Sequence, residues 1–167
     1  MAAPPTLAPA PSVSPLFLRE SEVRRGIELL YFGYSNLTRS ADQGLAAQGL
    51  GRAHHRVLYF VARQPDLTIS QLLGLLAITK QSLGRVLNEL TERGLVEMRP
   101  GERDRRQRLL RLTAAGQELE AALFDTIRTR LSAAYASAGQ NAVGGFWAVL
   151  EGLIPADDKA RIAALQD

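Results

Sequence analysis

From Leu67 to Thr113 the chain is punctuated so closely that few folds accommodate it. Leu67 to Ile69 has room for a very short strand at most, and Ser70 is placed to cap a short helix through Ala77. Thr79 opens the next helix, because its hydroxyl can accept a bond from an otherwise orphaned N–H of the first turn. That helix carries an apolar stripe of Leu83, Val86, Leu87 and Leu90. It ends at Arg93 before Gly94, a residue that tolerates the left-handed conformation of a helix end. Two helices joined by so tight a link make a helix-turn-helix. Beyond them, LVEMR and RLLRL are strand-like runs separated by PGERDRRQ, and Pro-Gly is a strong turn former, so a hairpin follows. Thr113 then caps a long helix.

The flanks are helical too. After Pro15, Leu18, Val23, Ile27, Leu30, Tyr31, Tyr34, Leu37, Ala41 and Leu45 recur mostly at three- and four-residue steps, the spacing of a long amphipathic helix. Residues 49–51 (GLG) punctuate it. RAHHRVLYFVARQP gives a second helix with Val57, Leu58 and Val61 inward, stopped by Pro65. Past Thr113, Leu119, Ala122, Leu123, Ile127, Leu131 and Ala134 keep helical spacing; Val143, Phe146, Trp147, Leu150 and Leu153 lie on one more helix, and a short final helix follows Pro155. The fold class is therefore mainly α with a small β-hairpin. A proline- and alanine-rich start, residues 1–15, reads as a disordered tail.

Charge distribution says more than net charge. The chain carries 20 basic and 17 acidic residues, a balance of +3 that does not by itself demand a nucleic-acid partner. Between Lys80 and Arg111, however, nine basic residues face five acidic ones, a larger excess than that of the whole chain. The absence of cysteine removes disulfides and thiolate metal sites together. With no apolar run long enough to span a bilayer and no basic-then-apolar leader, the expectation is a cytoplasmic protein with no membrane partner.

The stripe of the Thr79 helix fixes its opposite face, which carries Gln81, Gly84, Arg85 and Asn88, with Lys80 and Ser82 at the N-terminal end. These are side chains that read bases: Arg pairs bidentately with guanine, Gln and Asn with adenine, and the N-terminal residues of a second helix enter the major groove. Gly84 costs roughly 1 kcal/mol against alanine in mid-helix, and close approach of a backbone or base edge would account for it. The hairpin adds positive charge on a compact turn: Arg99, Arg103, Arg105, Arg106 and Arg108 stand where phosphates or a narrow minor groove can be reached. Asp104 is expected to hold the loop by pairing with a neighbouring arginine.

Order and motifs together resemble the MarR family of bacterial transcription regulators. The residues that carry the resemblance are RGLVE, the wing pattern Asp104-Arg105-Arg106, and its closing run Leu112-Thr113-Ala114-Ala115-Gly116, specific from about Gly49 to Leu119. The resemblance implies that Arg106 enters the minor groove, that Asp104 is its structural companion, and that the Thr79 helix is the recognition helix. It implies a homodimer on a pseudo-palindromic double-stranded operator, acting as a repressor released by a small-molecule effector. One departure is Gly84, where the family often has threonine or serine, and it bears on base preference. The layout expected is a single domain over 16–167, with dimerisation helices at 16–47 and 117–167 around a winged lobe at 49–113.

Tyr31, Tyr34, His54, His55 and Arg56 are candidates for an effector cleft. The adjacent histidines point about 100° apart on a helix, which disfavours a shared metal, so neither metal nor cofactor is expected. Nothing proposes catalysis: HExxH, a cysteine nucleophile and a phosphate-binding glycine loop are all missing from the sequence. The rival to DNA binding is a winged helix that docks protein.

Overall fold

The structure is a computed structural model that describes residues 15–102, 104–163 and 165. The expected tail, up to residue 14, and Arg103 lie outside the described residues. The chain divides into two units, 1–36 and 37–167. In the first, a 3-10 turn at Leu16–Leu18 leads into helix α1 (Glu20–Ala46), where Arg24 pairs with Glu20 one turn before it and the Tyr31 and Phe32 rings meet edge to face. Ile27, Leu30, Tyr31 and Tyr34 of its expected apolar stripe are exposed.

The second unit runs from the last turns of α1 through α2 (Arg52–Arg63), β1 (Leu67–Thr68), α3 (Ile69–Leu76), α4 (Lys80–Glu92), β2 (Val96–Pro100), β3 (Arg108–Leu112), α5 (Ala114–Ala138), α6 (Gln140–Leu153) and α7 (Ala156–Ala163). Its core gathers Ala41 and Leu45 of α1, Val57, Leu58 and Val61 of α2, Leu72 of α3, the α4 stripe, Val96, Leu110 and Leu123. The inward residues expected on α2 and α4 are all buried. The three strands form an antiparallel sheet in the order β1-β3-β2, with Leu67 opposite Leu110 and Val96 opposite Leu112. Side chains alternate across a strand, so Leu67, Val96, Leu110 and Leu112 face the core while Glu97, Arg99 and Arg111 share the outer face.

Two expectations change. Thr68, not Ser70, caps α3: its hydroxyl accepts from Gln71 N at 3.2 Å while the Gln71 side chain takes Thr68 N at 2.9 Å. This reciprocal box satisfies two orphan donors where Ser70, already inside the helix, satisfies none. The α5 stripe also buries less than its spacing promised, since Leu123 is covered, Leu119, Ile127 and Leu131 half so, and Ala122 and Ala134 are exposed. The lobe covers only the first half of that helix. α6 has no buried residue, and Phe146, Trp147, Val149 and Leu153 lie open along it. No helix of the described residues is long and apolar enough to cross a membrane.

Candidate nucleic-acid interface

Helix α4 is set from both ends. At its start Thr79 Oγ1 accepts from Ser82 N at 3.2 Å and donates to Ser82 Oγ at 2.9 Å, which aligns the first turn. At its far end Arg93 Nη1 reaches Gln48 O at 2.5 Å, and Glu89 Oε2 accepts from His54 Nε2 at 2.7 Å. His54 Nδ1 in turn accepts from Gly51 N at 3.0 Å, so both ring nitrogens are occupied and Nε2 carries the proton. Sequence reasoning had placed His54 with the effector candidates and missed this strut, which joins residues 35 positions apart.

With Leu83, Val86, Leu87 and Leu90 buried, the opposite face of α4 presents Lys80, Gln81, Ser82, Arg85 and Asn88 to solvent. Lys80 and Arg85 enter no ion pair among the described residues. A Cβ added at Gly84 would meet nothing within 4 Å, so the fold itself does not require glycine there.

The wing is a folded turn. Gly101 N donates to Gln107 O and Gln107 N to Asp104 O, both at 3.0 Å, and a Cβ on Gly101 would stand 2.7 Å from Asp104 O. Asp104 holds the loop through the loop's backbone: its Oδ1 accepts the N–H of Arg106 at 2.9 Å, and among the described residues it pairs with no arginine side chain. A short carboxylate reaches the N–H two residues on more readily than it reaches a mobile guanidinium. The Arg106 guanidinium is thereby left to point elsewhere. Arg105, Arg106 and Arg108 are exposed and make no ion pair among the described residues. Arg99 differs, since it pairs with Glu97 at 2.6 Å, and Arg111 is engaged by Asp66.

One joint locks the wing to the end of α4. Thr113 Oγ1 donates to Gly94 O at 2.6 Å and accepts from Gly116 N at 3.1 Å, while Thr113 N donates to Leu95 O at 3.1 Å. A Cβ at Gly116 would collide with Leu95 O, so the Leu-Thr-x-x-Gly run is a close approach of α5 to the chain leaving α4. The exposed face of α4 and the cationic turn are thus joined through Thr113.

The effector candidates are scattered in character. Tyr31 and Tyr34 belong to the first unit, and Arg56 is exposed in the second. His55 is buried, and its Nε2 has no hydrogen-bond partner among the described residues. Burial pushes its pKa below the ordinary value; Asp42 opposes that shift and Arg56 adds to it. Among the described residues no cluster of three or more His, Asp or Glu is arranged to hold a metal ion.

Compared with known proteins, residues 48–107 match a family model described as the MarR family. The HTH-type transcriptional regulator PetP of Rhodobacter capsulatus is 44% identical over 152 residues, spanning 91% of this chain and 92% of its own length. A mutant MarR from E. coli, solved in complex with operator DNA, is similar with a TM-score of 0.64 at 21% identity, over 85% of this chain and 100% of that one. FabT of Streptococcus pneumoniae, solved in complex with DNA, is similar with a TM-score of 0.69 at 20% identity, over 78% and 94% of the two chains. At these identities the two structures bear on the fold.

Proposed function

The chain belongs to the MarR family, and from that premise we propose that it is a cytoplasmic, sequence-specific DNA-binding regulator of transcription, a repressor released by a small molecule. Two copies, joined through 16–47 and 117–167, place their winged lobes on the two halves of a pseudo-palindromic operator. The observation that carries the reading is the lobe itself: an exposed helix face of Gln81, Arg85 and Asn88 locked by the Thr113 joint to a turn bearing Arg105, Arg106 and Arg108, which make no ion pair among the described residues. Bases are read by the helix, and the turn, with Lys80, holds phosphates and the minor groove. Support also comes from MarR and FabT, relatives in fold whose structures contain DNA.

Of the effector candidates, His55 has the strongest support, because a polar ligand group that reached its orphaned Nε2 would satisfy a buried atom. The exposed Phe146, Trp147, Val149 and Leu153 of α6 support a partner surface at the C-terminal end.

The test uses operator fragments recovered by genome-wide mapping of bound DNA. Arg85→Ala or Gln81→Ala is expected to cost roughly 1–3 kcal/mol on operator and much less on random DNA. Equal losses on both would demote these residues to backbone contacts, and no retention on any DNA at moderate salt would favour a protein-docking winged helix.

A further inference from the structure

Asp66 stands outside every element of the proposed interface, between the end of α2 and the start of β1, at φ +67°. A glycine adopts that left-handed conformation with less strain than an aspartate does, so the side chain at this position has a task of its own. The task is visible. Asp66 Oδ1 accepts from Arg111 Nε at 2.6 Å and Oδ2 from Arg111 Nη2, a two-pronged fork, while Asp66 N donates to Leu110 O at 3.0 Å. The fork holds the Asp66 carboxyl below its ordinary range.

The fork closes a weak point in the sheet. β1 has only two residues, pairing Leu67 with Leu110 and Thr68 with Leu109, so β3 is tied to the lobe along that edge by the shortest of ladders. On its other edge β3 pairs with β2, its own hairpin partner, over five positions. That pairing holds the two strands of the hairpin together but does not tell the hairpin where to point. Arg111 sits opposite Glu97 in the register, and Glu97 holds Arg99, so the outer face of the sheet carries a charge ladder that begins at Asp66 and runs toward the turn.

We propose that Asp66 is a positioning residue for DNA binding, its carboxylate fork on Arg111 setting the angle at which the hairpin leaves the lobe and so the place that Arg106 reaches. This rests on the reading that the wing meets DNA. An exposed ion pair adds little to stability; its effect here is on where the turn lies.

Asp66→Asn isolates the fork, because asparagine tolerates the left-handed backbone and keeps the volume while losing the charge. Operator affinity is measured by fluorescence anisotropy, at one salt concentration, for wild type, Asp66→Asn, Arg106→Ala and the double variant, with thermal unfolding as the check on folding. The expected result is a loss of about tenfold for each single variant, with the double variant no weaker than Arg106→Ala alone, since a misplaced wing has no contact left to lose. Combined instead with Arg85→Ala on α4, Asp66→Asn is expected to give losses that multiply. If Asp66→Asn unfolds, Asp66→Gly replaces it, the backbone there suiting glycine. Wild-type affinity in Asp66→Asn, with Arg106→Ala weakened, overturns the positioning role alone, and so do losses that multiply between Asp66 and Arg106. Wild-type affinity in Arg106→Ala overturns the wing reading and the positioning role with it.

Discussion

A methyl group added at Gly84 would meet nothing within 4 Å, whereas one added at Gly116 would collide with the carbonyl oxygen of Leu95. Two helical glycines thus have opposite reasons to be there, and substitution separates them. Gly84→Ala is expected to raise stability in urea unfolding by about 0.5–1 kcal/mol, because alanine is the better helix former, and to alter discrimination between operator and random DNA. Gly116→Ala is expected to lower stability by about 1–3 kcal/mol, the usual cost of forcing atoms into a filled space. His55 gives a pH test. Its pKa is lowered in the fold, so the unfolded chain binds more protons below the ordinary histidine value of 6.5. Stability is therefore expected to be level above that value and to fall as pH drops below it, and His55→Leu should flatten that fall. Roles resting on types and short spacings, such as the Thr79 and Thr113 caps and the Gly94 stop, could be read from the sequence. The Asp104 bond to a backbone N–H and the His54–Glu89 strut could not, the first because several partners lie equally near in sequence, the second because its partners are far apart.

At the scale of elements, the long helices and the hairpin of the lobe were legible, because each is bounded by a cap, a glycine or a proline and striped at its own period, whereas the start of α3 was misplaced by two residues. What the periodicity could not supply was which stripes find a cover. α2 and α4 bury theirs, but the stripe of α5 runs on past the lobe and α6 buries nothing. The pairing of β1 with β3 was likewise hidden, since two residues carry no pattern. The joint between α4, the wing and α5 concentrates on Thr113, whose hydroxyl both caps α5 and ties Gly94. Thr113→Ala is expected to cost about 1–2 kcal/mol in chemical denaturation. Operator affinity should fall as well, since the wing is then free to move against α4.

For the whole molecule, the exposed apolar residues of α6, Phe146, Trp147, Val149 and Leu153, ask for a partner surface. Truncation before Asn141 is expected to turn a dimer into monomer or aggregate in light scattering after gel filtration. A soluble dimer from that truncation would place the interface elsewhere. The central claim is that the lobe holds DNA through the cations that make no ion pair among the described residues, Lys80, Arg105, Arg106 and Arg108 in each copy. The most direct test is operator affinity measured across a salt series. If those four residues neutralise about four phosphates per protomer, a dimer releases on the order of eight counterions, and log affinity should fall against log salt with a slope near −7. Replacing Arg105 and Arg108 by alanine removes at most about four contacts per dimer, so the slope should become shallower by up to about 3 or 4 units. A slope unchanged by that double substitution would contradict the account and leave the turn a solvated cluster of charge.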